Sequence, residues 1–402
     1  MEPKIRFKGF EGEWKKVKLS ECLEISKERN INDDFGINEV LSVSDEEGVM
    51  NQIKLLGRSF AGKSVTNYKV LRTNQIVYTK SPLKAKPYGI IKVNKGETGI
   101  VSVLYAVYDS KEDVNPYYIH YYFDPTFRIN NYLLPLINKG AKNTMNISDD
   151  VSLQGYISLP PLAEQQAIAS YFTSLDSQIS AATSRLASLK QMKAASLQAM
   201  FPQEGETVPK IRFKGFEGEW KKVKFGTLLK ECTDKSTSED EDILLSSAIN
   251  GVFLNSELFG HQRGRSNIGY RKIRRNMLIL SAQNLHLGNA NVNLRFEHGL
   301  VSPAYKIYDL YNVLPEFMYH WIKREETKKF FLDATTAGAS LCRKNIVWTD
   351  LYKQNILLPK SDTEQQAIAS YFTSLDRQIS LQSQRLEKLK QIKSACLDKM
   401  FV

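Results

Sequence analysis

Two stretches of this chain place residue types at spacings that could do chemistry. Residues 57–64, GRSFAGKS, fit G-x-x-x-x-G-K-S letter for letter, the pattern whose backbone N–H groups and lysine cradle nucleotide phosphates at a helix N-terminus. That loop needs a buried strand before it and a helix after it. Here NQIKLL precedes and VTNYKVLRTN comes after; the first lacks the apolar run of a buried strand and the second reads as extended, so no ATP site is expected. Residues 115–120, NPYYIH, come within one letter of the N-P-P-[YF] motif that orients the amino group of a flipped base, with Tyr117 in place of the second proline. FKGFEG has the wrong glycine spacing for an F-x-G-x-G loop around S-adenosylmethionine, and no strand–helix alternation points to the doubly wound sheet a methyltransferase requires. The five histidines (His120, His261, His286, His298, His320) are scattered, and Cys22, Cys232, Cys342 and Cys396 form no C-x-x-C pair. No catalytic constellation, metal site or disulfide framework is expected.

Binding chemistry is better supported. The chain carries a formal charge of +11, and an excess of Lys and Arg points to a polyanionic partner, because neutralising phosphates releases condensed counterions. Three pairs of loops, one member in each half of the chain, concentrate cations and amides. RSFAGKS (58–64) offers Arg58, Lys63 and Ser64, and HQRGRS (261–266) offers Arg263, Arg265 and Ser266. KSPLKAK (80–86) offers Lys80, Lys84 and Lys86 opposite SAQNLHLGN (281–289), with Gln283 and Asn284. KGAKNTMN (139–146) offers Lys142 and Asn143 opposite AGASLCRKN (337–345), with Arg343, Lys344 and Asn345. Arginine can read guanine and Gln or Asn adenine, whereas Lys and Ser more often hold phosphate. A merely solvated basic loop would have the same composition.

The elements that position these loops are given by an internal repeat. PKIRFKGFEGEWKKVK occurs at 3–18 and again at 209–224, and EQQAIASYFTSLD at 164–176 and 364–376. Identical brackets surround divergent contents. Those contents read as mixed β-rich domains: NQIVYTK (74–80) and GIVSVLYAVYD (99–109) match NMLILSA (276–282) and GLVSPAYKIYD (299–309), each set followed by a helical stretch, NPYYIHYYF or LPEFMYHWI. The second copy has Phe259 where Gly57 stands, a further argument against a phosphate loop. After each domain the apolar residues alternate spacings of four and three: Ile168, Phe172, Leu175, Ile179, Ala182, Leu186, Leu189, and Ile368, Phe372, Leu375, Ile379, Gln382, Leu386, Leu389. That is the seam of a coiled coil; two amphipathic helices, each packed on its own domain, is the other reading. Lys190, Lys193, Lys390 and Lys393 enrich the last third of each helix, as the helix dipole favours. No run approaches the roughly 18 apolar residues of a membrane span, and a cytoplasmic location is the expectation.

Taken together, the F-x-G-F-x-x-x-W openings (Phe7, Gly9, Phe10, Trp14; Phe213, Gly215, Phe216, Trp220), the Leu-Pro element followed by EQ-x-x-I-A, and the repeated domain-then-helix order resemble the DNA-specificity (S) subunits of type I restriction-modification enzymes. The resemblance covers nearly the whole chain. It implies an α+β chain of two tandem mixed α/β target recognition domains (1–160 and 209–359), separated by two long helices (161–201 and 360–402) that pair as an antiparallel, pseudo-twofold coiled coil, with a linker at 202–208. It implies a non-catalytic subunit that reads an asymmetric bipartite site in double-stranded DNA and docks two modification subunits and restriction/translocase subunits. S-adenosylmethionine, ATP and Mg would then sit on those partners, with no cofactor here. The repeated Phe7, Phe10 and Trp14, with Phe213, Phe216 and Trp220, are expected to anchor each domain against the helix of the opposite copy. A self-sufficient adenine methyltransferase and a nonspecific nucleic-acid-binding coiled-coil protein are the alternatives.

Overall fold

The computed structural model describes residues 2–62, 64–139, 145–259, 266–336 and 344–402. They form two compact units, one of residues 1–183 with 384–402 and one of residues 184–383. The units do not coincide with the copies of the sequence: each contains one β-rich domain, the first part of the helix that comes after it, and the last part of the helix of the other copy.

In the first unit a four-stranded antiparallel sheet runs in the order Leu23–Ile25, Ala106–Ser110, Ile76–Tyr78, Ile91–Val93. Ile76 faces Tyr108 on one side and Val93 on the other. All three residues of Ile76–Tyr78 are buried, which is why NQIVYTK reads as an uninterrupted apolar run rather than an alternating one. GIVSVLYAVYD is not one strand. It breaks at a turn closed by Tyr105 N–H donating to Ser102 C=O (3.0 Å), so Gly99–Val101 pairs with Lys69–Leu71 while Ala106–Ser110 joins the main sheet. The second unit repeats this order with Leu229–Cys232, Tyr305–Leu310, Leu278–Ser281 and Ala290–Val292, and Pro303 stands in the matching turn.

The helical stretch after the sheet is Pro116–Tyr122 in the first unit and Pro315–Ile322 in the second. Asn115 caps the former, its side-chain oxygen accepting from Tyr117 N (2.9 Å) and Tyr118 N (3.3 Å), with Pro116 in the first turn. The Asn-Pro pair of NPYYIH is therefore a helix start. GRSFAGKS also has a structural origin: Gln52–Leu56 is a short helix that ends at left-handed Gly57, and the chain then leads towards the strand Lys69–Leu71. Helix precedes loop, the reverse of a phosphate-binding arrangement.

The two long helices are Leu162–Ala199 and Asp362–Lys399. Within the first unit, Tyr171 Oη lies 3.4 Å from Cys396 Sγ and Lys393 Nζ 2.8 Å from Asp176 Oδ1, so the start of one helix runs antiparallel to the end of the other. The second unit repeats the pairing with Ser196 Oγ 2.9 Å from Tyr371 Oη and Lys193 on Asp376. Every seam position read from the sequence is buried or half-buried, Gln382 included.

Candidate nucleic-acid interface

The two repeated strings meet. Arg6 donates through Nε and Nη2 to the two carboxylate oxygens of Glu164 (2.8 and 2.7 Å), and Arg212 does the same to Glu364 (2.7 and 2.8 Å). Both glutamates are only 1% exposed. Each arginine also donates to a glycine carbonyl of its own turn, Gly12 or Gly218, at 2.6 Å. These glycines have φ of +82° and +77°, a conformation that excludes most other residues. Burial alone would work against both charges; two parallel hydrogen bonds to each carboxylate offset it. The hydrogen bond to Glu164 is also the main reason that the Arg6 pKa is raised.

The anchor residues meet the expectation only in part: Trp220 packs on Phe201 at the end of the opposite copy's helix (5.9 Å), but the two phenylalanines that open the repeats turn to their own helix. Phe7 packs edge-on against Tyr171 (5.7 Å) and Phe213 against Tyr371 (6.0 Å), each on the helix of its own copy. Trp14 and Trp220 are buried, on Tyr118 (6.1 Å) and Phe317 (6.0 Å), while Phe10 and Phe216 are half-buried. What comes from the opposite copy is a repeated Met-Phe at the end of each helix. Phe401 lies 5.4 Å from Tyr118 and 5.8 Å from Phe172; Phe201 lies 5.4 Å from Phe317 and 5.9 Å from Trp220. A buried arginine covers each ring, Arg128 at 5.0 Å over Phe401 and Arg324 at 4.9 Å over Phe201. Arg128 also donates to Leu397 C=O (3.1 Å) and Arg324 to Pro202 C=O (3.3 Å). Met200-Phe201 and Met400-Phe401 were legible as a repeat; the arginines gave no such signal.

A polar layer joins each domain to its helices. Gln165 accepts from Asn115 N (2.9 Å), and Gln365 accepts from Leu314 N (2.9 Å). In the first unit Lys92 and Lys393 surround Asp124, and Lys95, Lys393 and Tyr121 surround Asp176. Burial works against ionising Asp124, but Lys92, His120 and Lys393 outweigh it and hold the carboxyl below its ordinary range. In the second unit the corresponding position is Lys323, which donates to Asn291 Oδ1 (2.6 Å), Ile249 C=O (2.7 Å) and Ala290 C=O (3.0 Å). Burial, with Lys193 nearby, pushes its ammonium down to about 8. Burial and Lys193 likewise push His320 down to about 3. The last-third lysines Lys193 and Lys393 thus act as bridges to the other helix.

The loop residues separate into three groups. Arg58, Ser64 and Lys84 are exposed in the first unit, and Ser266, Gln283 and Asn345 in the second; Asn284 and Lys344 are half-buried. Ser64 shares a hydrogen bond with Thr66, Ser266 is held by Glu239, and Asn284 accepts on its backbone carbonyl from Leu287 N–H (3.1 Å) in a local turn. Lys63, Lys142, Asn143, Arg263, Arg265 and Arg343 lie outside the described residues. Lys86 is a correction. It is 4% exposed, with its ammonium donating to Asp45 (2.6 Å) and to Asp124 C=O (2.8 Å), which makes it a structural cation of the domain interior rather than a loop contact. Lys80 is paired as well: Asp149 accepts from Lys80 and from Lys69 (2.6 Å). Burial works against the Asp149 charge, but these two lysines outweigh it and lower its pKa. Asp149 thereby ties the strand Lys69–Leu71 to the start of the 80–86 loop. Among the described residues no group of three or more His, Cys, Asp or Glu could hold a metal ion, and no helix is long and apolar enough to cross a membrane.

Residues 302–391 match the family described as the type I restriction modification DNA specificity domain. No match was found among curated proteins. Among solved structures, the type I restriction-modification S subunit from M. genitalium is 13% identical, with a TM-score of 0.58 over 100% of this chain and 99% of that one. The HsdS subunit from Thermoanaerobacter tengcongensis is 16% identical, with a TM-score of 0.44 over 96% of each chain. A chain from a structure of type I R-M complex assembly and conformational transition is also 16% identical, with a TM-score of 0.46 over 97% of each. This chain is thus similar at 302–391 to the type I restriction modification DNA specificity domain, and its fold resembles that of the S subunit from M. genitalium.

Proposed function

We propose that this chain is the recognition subunit of a type I restriction-modification complex, that it reads an asymmetric bipartite site in double-stranded DNA, and that it catalyses nothing itself. The observation that carries the reading is the repeated wiring. Both units share sheet order, helix pairing and the Arg–Glu clamp, while the exposed residues of their corresponding loops differ. Two readers of one design with different surfaces fit two different half-sites, much as symmetric DNA-binding proteins set half-site spacing by their own dimensions. The paired helices act as an antiparallel coiled-coil ruler. A helix of 38 residues spans about 57 Å, and that length fixes the spacer.

On this reading Arg58, Lys84, Gln283 and Asn345 face DNA, with the remaining loop cations Lys63, Lys142, Arg263, Arg265, Arg343 and Lys344 as further candidates. Two modification subunits dock on the helical scaffold and methylate adenine, and restriction/translocase subunits join them. S-adenosylmethionine, ATP and Mg belong to those partners, and the complex works in the cytoplasm, where the DNA is.

The test is to express the chain with its cognate modification subunit in a methylation-free bacterial host, omit each in turn, and map N6-methyladenine by long-read sequencing. A split motif that requires both proteins is the expected result. Methylation by this chain alone would overturn the non-catalytic assignment, and no sequence-specific methylation from the pair would overturn the reading as a whole.

A further inference from the structure

Resting on that reading, one turn of the first unit has the properties of a base-reading element. Gln52–Leu56 is capped by Asn51, whose side chain accepts from Ile53 N (3.0 Å) and Lys54 N (3.1 Å), and it stops at Gly57. Gln52 then pins the residues beyond that stop. Its Oε1 accepts from Phe60 N (2.6 Å) and Ser59 Oγ (3.1 Å), and its Nε2 donates to Ser42 Oγ (3.0 Å) on the strand Leu41–Ser44. The turn is therefore fixed by one side chain to the two-stranded hairpin that Leu41–Ser44 forms with Gly48–Asn51, although its tip is exposed.

That tip presents an exposed arginine–phenylalanine pair. The Arg58 guanidinium lies 4.6 Å from the ring centroid of Phe60, which is 59% exposed, and Leu56 beside it is 51% exposed. Among the described residues Arg58 has no carboxylate partner, whereas Arg72, Arg274, Arg275 and Arg295 are paired with Glu28, Asp309, Glu297 and Glu257. A cation–π contact in water contributes little, so the fold gains little from holding a phenyl ring and an arginine outward together. A DNA major groove uses both. The guanidinium fork fits the O6/N7 edge of guanine, and an apolar ring fits the methyl group of thymine. Stacking on the ring restricts the arginine before it binds, which lowers the entropy lost on contact. Lys54, also exposed on the same short helix, supplies positive charge for the flanking phosphates.

We propose that the Arg58–Phe60 turn is the base-reading head of the first domain, with Arg58 on a guanine and Phe60 on the methyl of an adjacent thymine.

The test uses the full chain with its modification subunit. Wild type, Arg58→Ala and Phe60→Ala are compared by methylome mapping and by binding to cognate, random and deoxyuridine-substituted duplexes. Because both side chains are exposed, the melting temperatures of the three proteins should coincide. Arg58→Ala should weaken cognate binding by roughly 5- to 150-fold and relax a single guanine in one half-site, leaving the other half-site intact. Wild type should bind the thymine duplex more tightly than its deoxyuridine counterpart, and Phe60→Ala should lose that difference. Unchanged motifs in both variants, or an equal loss of affinity on random DNA, would overturn the assignment while leaving the functional reading in place. A wild-type pair that yields no split motif would overturn both.

Discussion

Replacing Phe401 with alanine should destabilise a domain that begins at the opposite end of the chain. The ring is 5% exposed, lies between Tyr118 and Phe172, and sits under the Arg128 guanidinium. Returning a phenylalanine side chain to water forfeits roughly 1.5–3 kcal/mol. The hole left among rings that cannot all move inward raises the cost to about 3–5 kcal/mol. For a unit of about 200 residues, each kcal/mol shifts melting by roughly 2–4 °C, so a fall of about 6–20 °C is expected. Hydrogen-exchange mass spectrometry localises the loss. Peptides from Pro116–Tyr122 and Thr126–Leu133 should lose protection, whereas Pro315–Ile322 should change much less. Phe201→Ala should give the mirror-image pattern, since its ring fills the equivalent slot beside Phe317. If Phe401→Ala left the protection of 116–133 unaltered, the claim that each domain is completed by the other copy's helix end would fail.

The buried polar groups give two further expected outcomes. Glu164→Gln strands the Arg6 charge in a site where the arginine side chain is 14% exposed, and the expected loss is about 2–3 kcal/mol after allowing for partial solvation; a double-mutant cycle with Arg6→Met that gave no coupling would refute this. His320 is held neutral, with its pKa pushed down to about 3, against an ordinary value of about 6.5 when unfolded. Between those two values the unfolded chain binds a proton that the folded chain does not, so this contribution is complete above about pH 6.5 and is lost as pH falls towards 3. Urea midpoints of His320→Gln should therefore decline less steeply than wild type from pH 6.5 to 4, and parallel declines would contradict the mechanism.

The scaffold was legible because it depends on periodicity and repetition. The four-and-three spacing of Ile168 to Leu189 marks one face of a helix whatever packs on it, and two identical strings 200 residues apart announce two equivalent structures. Partner identity was harder to read. Lys193 and Lys393 suit a helix C-terminus by charge alone, and only the fold shows that Asp376 and Asp176 are what they reach. Phe7 was assigned to the wrong helix for the same reason: an aromatic residue announces burial without saying against what. Lys86 looked like its neighbour Lys84 because composition does not distinguish an inward lysine from an outward one; the difference is the carboxylate of Asp45, 41 positions away. Phe60 escaped notice because an apolar residue between polar ones looks like a small piece of core, and its exposure is a property of the fold alone.

The Met-Phe plug also orders events in time. Phe201 meets Trp220, only 19 positions further on, so the second domain finds its plug close by in the chain. Tyr118 must wait for Phe401, 283 positions later. During synthesis the first domain emerges first and is finished last, holding an open aromatic slot while the whole second domain is made. Phe201, which ends the first helix, is a near-copy of the missing plug and reaches the same kind of slot sooner. Correct assembly of the first domain thus depends on Phe401 and not Phe201 filling its slot, a non-local step that is intrinsically slow and makes the first domain the last part of the molecule to become resistant to proteolysis.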